Sequence, residues 1–139
     1  MPSTNIIVEL ADWVAAGTSF TNGTTLRVAF RTQNAPARCV LITNAGGGKE
    51  FNSDSARHRF DYMLQFISRA IAWGDAQTDI NLIHAFMYED ARGLVSLPTV
   101  SPTFDIESIE PVATPAPIGR DEKQRFEYSV NYILKCFRY

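Results

Sequence analysis

The chain has 139 residues, of which 45% are hydrophobic and 20% charged, and its formal net charge is −2. That length suits one domain with a core of its own, and the composition is that of an ordinary globular domain, not a disordered chain. The slight negative charge leaves no basic footprint for tight duplex binding, and no run approaches the roughly 18 apolar residues of a membrane span.

In chain order, Ser3 is placed to cap a first helix that carries Ile6, Ile7, Leu10, Trp13 and Val14 on one side. Gly17 is the expected stop, in the left-handed conformation. Asn22-Gly23 signals a turn, and Leu26, Val28 and Phe30 alternate with Arg27, Ala29 and Arg31 as a strand. Cys39-Val40-Leu41-Ile42-Thr43 is continuously apolar and suits a strand covered on both faces. Residues 44–50 read as a flexible loop. Phe60, Tyr62, Leu64 and Phe66 then share one face of a long strand over 57–69, with Met63 and Ile67 among polar residues on the other.

Gly74-Asp75 opens a second helix, with Asp75 as a possible cap, Asp79 in its first turn and Ala76, Ile80, Ile83 and Met87 at helical spacing. A fourth strand follows at 104–109. Pro111, Pro115 and Pro117 make residues 110–119 an extended arm expected not to pair regularly, because proline lacks the donor. The chain closes on a strand in which Phe126, Tyr128, Val130, Tyr132, Leu134 and Cys136 share a face. Arg125, Glu127, Ser129, Asn131 and Lys135 share the other, with Ile133 and Phe137. The expected fold is a single α+β domain over 1–139, a mostly antiparallel sheet of about five strands with two helices packed on one face.

No catalytic or metal-binding constellation emerges, and no cofactor is implied. Gly46-Gly47-Gly48-Lys49 lacks the earlier glycine and the following hydroxyl of a phosphate loop; Thr43 and Glu50 stand there instead. His58 and His84 have no companion ligand at metal spacing, and Cys39 and Cys136 read as buried, reduced thiols. Asp105 and Glu107 are expected together on a solvated face, with Glu110 beyond them on the arm. Asn22-Gly23-Thr24 matches a glycosylation sequon. The first five residues nevertheless lack a secretory signal, so a soluble protein made in a cytoplasm is expected.

The segment Gly119-Arg120-Asp121-Glu122-Lys123-Gln124-Arg125-Phe126-Glu127-Tyr128-Ser129-Val130-Asn131-Tyr132 resembles the C-terminal signature of the tail terminator (tail completion) and minor capsid proteins of long-tailed bacteriophages. There a glycine-arginine turn leads into an aromatic-alternating strand with a Ser-Val-Asn centre. The order and length of the preceding elements resemble that family more loosely, and residues 89–103 depart from it. The resemblance implies a non-enzymatic α+β subunit of the virion neck, assembled in the host cytoplasm. Its ring, generally a hexamer, caps the head-proximal end of the tail tube and stops tube growth. Implied partners are further copies of the chain, the tail tube protein and a head–tail connector or adaptor, with DNA passing through a neutral or negative lumen without specific binding.

Two stretches are candidates for subunit or tube contacts: the arm residues Pro111, Pro115 and Pro117, and the charged turn Arg120, Asp121, Lys123 and Arg125. Met63, Ile67, Ile133 and Phe137 either serve such a contact or pack under the second helix. Three other readings stay open. They are another neck protein, a small α+β enzyme using Asp105, Glu107 or His58, and a monomeric peptide- or nucleic-acid-binding module.

Overall fold

The computed structural model describes residues 6–21, 23–28, 37–46, 50–51, 58–89, 94–98 and 102–138. In chain order the elements are α1 (Ile6–Gly17), β1 (Leu26–Val28), β2 (Cys39–Gly46), β3 (Glu50–Phe51), β4 (His58–Ala70) and α2 (Trp73–His84). A π-helical turn, Ala85–Glu89, extends α2, and β5 (Val95–Leu97), β6 (Phe104–Pro111), β7 (Ala116–Arg120) and β8 (Phe126–Arg138) follow. The proposed cap Ser3, residues 29–36, the 47–49 part of the glycine-rich loop and the side chain of His58 lie outside the described residues.

The frame is the antiparallel pair β4–β8. Each strand has 13 residues, and they pair over their full length, from His58 opposite Arg138 to Ala70 opposite Phe126. Period-two alternation puts Phe60, Leu64, Phe66, Tyr128, Val130, Tyr132, Leu134 and Cys136 on one face, and all are buried in a single core cluster. Each such side chain contributes on the order of 1.5–3 kcal/mol by leaving water. A one-residue slip would turn the whole set to the wrong side, so the register is fixed by burial.

Both outer flanks of this pair are interrupted strands. β2 and then β3 run antiparallel along β4, while β6 and then β7 run antiparallel along β8. β1 adds to β2 in parallel and β5 adds to β6, giving, among the described residues, eight strands in the order β1-β2-β4-β8-β6-β5 with β3 on β4 and β7 on β8. Helix α1 touches both β1 and β5, the two ends of that order. A flat sheet cannot bring both ends to one helix, so the sheet curls into a half-barrel.

This overturns the expected fold of about five strands with two helices laid on one face. The described residues are mostly sheet, eight strands curled into a half-barrel with two helices. The difference lies in the short strands β3, β5 and β7, and in the proline arm. Val112 N–H donates to Asn131 O and Asp121 N–H donates to Arg125 O. By strict alternation along β8, Pro111 opposite Tyr132 and Pro117 opposite Tyr128 then point their nitrogens away from that strand. A proline there forfeits nothing, so the arm pairs as an edge strand.

Ala76, Ile80, Ile83 and Met87 are buried, as their spacing predicts. Two polar contacts seat α2 on the frame. The Ser68 hydroxyl donates to Ala76 O at 2.6 Å near the start of the helix, and His84 Nδ1 lies 2.7 Å from the Tyr132 hydroxyl at its end. The proposed cap Asp75 makes no capping bond. The N-cap is Ala72, and Asp75 turns toward Arg38 at 3.5 Å.

Gly17 closes α1, but not in the left-handed conformation expected of it. It is not among the residues with positive φ; a Cβ there would overlap the ring of Phe86, which Trp13 holds at 4.9 Å. Alanine ordinarily stabilises a helical glycine position by up to about 1 kcal/mol. Gly17→Ala should instead destabilise by about 1–3 kcal/mol through overpacking. Denaturant unfolding should show a smaller cost when Phe86→Leu is already present. A stabilised Gly17→Ala protein would contradict the packing account.

Candidate functional site

The β7–β8 hairpin holds most of the candidate residues, and the structure divides them into two groups. Gly119 adopts φ +118°, a conformation open to glycine, and Gln124 takes φ 61° within the turn. Between them Asp121 organises the chain. Its Oδ1 accepts from the backbone N–H groups of Lys123 and Arg125 at 3.0 and 2.9 Å, and its Oδ2 accepts from Arg125 Nε at 2.6 Å. Arg69, from β4, lies 3.6 Å from the same oxygen and donates through Nε to Glu127 at 2.9 Å. The side chains of these four residues are only 9–14% exposed.

Asp121 and Arg125 are therefore a buried clasp within the subunit, not free charges for a neighbour. Arg120 and Lys123 stay exposed. The Arg120 guanidinium lies 4.2 Å over the ring of Phe126 and reaches Gln124 at 3.4 Å. Every residue of β7 is exposed, and Val112 and Ile118 present large apolar side chains there. Ile71 and Trp73, which follow the end of β4, are exposed at the same end of the sheet, with Trp73 6.4 Å from Tyr128 opposite Pro117. Sequence periodicity marks none of these four as interface residues, because they sit at element ends and bulges where alternation breaks down.

Met63, Ile67, Ile133 and Phe137 lie on the face opposite α2, so they do not pack beneath it. They are half-buried by lateral pairing: Met63 stands opposite Ile133, and Arg59 covers Phe137 at 4.6 Å. In the same face the Asn131 Oδ1 is buried without a hydrogen-bond partner among the described residues.

The acids do not form a solvated pair. A bulge between Ile106 and Ser108 breaks the alternation, and Asp105 is buried, accepting from the Ser96 hydroxyl at 2.6 Å. Glu107 is exposed near Arg59 at 3.8 Å, and Glu110 lies 3.8 Å from Lys135. A cavity of about 310 Å³ is lined by Ser19, Phe20, Thr25, Arg38, Cys39 and Asp79. Both oxygens of buried Asp79 accept from Arg38, at 3.0 and 2.9 Å, which neutralises the acid and raises the guanidinium further above its ordinary value. This pair spans 41 positions and escapes any reading of local spacing.

Burial raises the Cys39 thiol and pushes that of Cys136 up to about 12, so neither is a nucleophile near neutral pH. Among the described residues no group of three or more His, Cys, Asp or Glu side chains is arranged to hold a metal ion. No helix there is long and apolar enough to cross a membrane.

Burial pushes the Asp121 carboxyl up, but the hydrogen bonds from Arg125 and Lys123 outweigh it and hold the group below its ordinary value of 3.8. A carboxylate depressed on folding stabilises fully above that value and loses its contribution as pH falls through the folded pKa. Asp121→Asn should therefore flatten the acid limb of stability below about pH 4, read by thermal melting across pH. Arg125→Ala should cost about 1–3 kcal/mol by removing the guanidinium that Asp121 holds, with Arg69 and the two backbone N–H groups left to it, while Lys123→Ala should stay within about 0.5 kcal/mol. Equal effects of the two would contradict the clasp.

The edge prolines give a separate expectation. Pro111→Ala with Pro117→Ala adds two outward N–H donors to an exposed edge, and should raise concentration-dependent, strand-rich self-association measured by light scattering and infrared absorption. Unchanged behaviour would show that the prolines do not guard this edge.

Neither protein-family models nor curated protein sequences match this chain, so its function is argued from this geometry and from the resemblance carried by residues 119–132.

Proposed function

We propose that this chain is a non-enzymatic structural subunit of a phage neck. In this reading it forms a ring, generally a hexamer, that caps the head-proximal end of the tail tube, ends tube polymerisation and presents the surface that joins the head. The observation that carries the reading is the coincidence of the resembling segment with the hairpin clasp. Gly119, Asp121, Arg125 and Glu127, which help carry the resemblance, are also the residues that hold the turn in one shape.

A subunit that must stop a growing tube needs a docking edge whose geometry does not yield on contact. A turn fixed by four charge-assisted hydrogen bonds supplies that stiffness, because ordering it again on binding costs nothing further. The exposed edge beside it carries apolar Val112 and Ile118 with the cations Arg120 and Lys123. Such a mixture suits contacts that form in water and then exclude it. The tail tube protein and a connector or adaptor are the proposed partners, with DNA passing through the ring without specific binding.

Electron microscopy of particles made without the protein tests this directly. Overlong tubes are expected if the chain ends polymerisation. Tubes of normal length left unattached to filled heads would assign it to another neck position, and normal joined particles would overturn the reading. The isolated protein should also show no tight, salt-sensitive DNA binding, measured by fluorescence anisotropy at low and moderate salt.

A further inference from the structure

The cavity of about 310 Å³ at the start of β2 has no part in the hairpin clasp. Its walls come from four separate stretches: Ser19 and Phe20 after α1, Thr25 before β1, Arg38 and Cys39 at β2, and Asp79 on α2. Hydrogen bonds hold these stretches in place. The Thr18 hydroxyl donates to Val14 O at 2.7 Å and accepts from Phe20 N–H at 3.4 Å. Thr25 Oγ1 accepts from Thr21 N–H at 2.7 Å, and Val40 N–H donates to Thr25 O at 2.7 Å. The walls are thus ordered before anything enters, which lowers the cost of binding.

Arg38 gives the cavity its chemistry. Its Nε and Nη2 donate to the two oxygens of Asp79, whose side chain is 5% exposed, while its own side chain is 52% exposed. Burial of such a pair is weak evidence for stability, because desolvation offsets the attraction. What the pair does supply is a guanidinium held in one plane. Asp79 occupies one fork of its N–H groups, and Nη1 with the second proton of Nη2 forms another. Asp75 Oδ1 stands 3.5 Å from Nη1, well beyond the 2.7–2.9 Å or so of a charge-assisted hydrogen bond. Thr25 and Phe20 are half-buried in the wall, and Ser19 is exposed at its rim. Burial raises the Cys39 thiol; Arg69, Arg125 and Arg27 work against that rise and Asp79 with it, so cations outnumber carboxylates around this wall.

We infer that this cavity binds a small organic carboxylate, its two oxygens on the second fork of Arg38 and its apolar body against Phe20. A guanidinium fork matches a carboxylate bidentately, and the Thr25 and Ser19 hydroxyls are further donors in the same wall. The volume lies at the small end of ligand cavities, about 300–1,000 Å³, which suits a body no larger than a single ring. Asp75 beside the fork disfavours a second negative charge, so a monoanion fits better than phosphate. Such a carboxylate comes either from a free acid or from the end of a polypeptide, and the recognition is the same. This site goes beyond the neck reading and stands whether or not the chain forms a ring.

Heteronuclear NMR of the full-length protein tests this with four probes. They are phenylacetate, its neutral amide, a tripeptide ending in phenylalanine with a free carboxylate, and inorganic phosphate. Phenylacetate or the tripeptide should shift the amides of Ser19, Phe20, Arg38, Cys39 and Asp79 saturably, and the neutral amide should not. Response to phenylacetate alone assigns a free acid, and response to the tripeptide alone assigns a polypeptide end. Arg38→Lys keeps a cation against Asp79 but lacks the fork, and should weaken binding at least about tenfold. Asp75→Asn removes the competing charge and should tighten it about threefold. Circular dichroism of each variant confirms that it is folded.

The mapping on the unaltered protein keeps the inference falsifiable even where a variant fails to fold. No saturable shift with either acid, equal shifts with the neutral amide, or tighter binding of phosphate would overturn it, and none of these results bears on the neck reading.

Discussion

The full-length pairing of β4 with β8 is the constraint on which the rest of the molecule depends. Every other strand except β1 and β5 hydrogen-bonds directly to one of these two, and both polar seats of α2 are on them, at Ser68 and Tyr132. The ladder also reaches the hairpin. Arg69 and Glu127 are directly opposite in its register, and Arg69 extends from there to Asp121. The hydrophobic burial that fixes the register thereby also places the guanidinium that closes the turn. Core packing and the shape of the exposed edge are one mechanical unit.

A half-barrel leaves edges, and edges invite pairing with any other strand. In this chain the flank that β5 leaves open, from the end of β6 through β7, is blunted by prolines set where their nitrogens face out, while the side chains around it are apolar and charged. That combination suppresses indiscriminate strand addition and leaves association to side-chain complementarity. For a subunit that builds a closed ring, as proposed above, this distinction matters: open-ended strand addition gives fibres, whereas a fixed side-chain joint sets a rotation that can close.

The long elements were legible in the sequence because burial on one face writes itself as alternation. The even-numbered positions of β8 from 128 to 136, Phe60, Leu64 and Phe66 of β4, the run at Cys39–Ile42 and the stripe on α2 all lie buried as read, with Tyr62 partly buried beside them. The strand count was not legible. β3 and β5 are two and three residues long, too short to show a period, and β7 was hidden by prolines that ordinarily exclude a strand. The charged turn reads in sequence as a set of charges for a neighbouring subunit or tube, since one partner that occupies it, Arg69, comes from 58 positions before Glu127. Asp105 escaped for the same reason, its partner Ser96 arriving from another strand. Gly17 is a helix end as read, but what requires glycine there is the Phe86 ring, which only tertiary packing brings to it.

Amide hydrogen exchange, compared between the protein alone and the protein assembled on tail tubes, tests the central claim that a rigid β4–β8 frame presents an edge for docking. The β4 and β8 amides should exchange slowest in both states, while residues 112–123 gain protection only on assembly. Fast exchange along β8 in the free protein, or new protection confined to the face bearing Met63 and Ile133, would contradict the account.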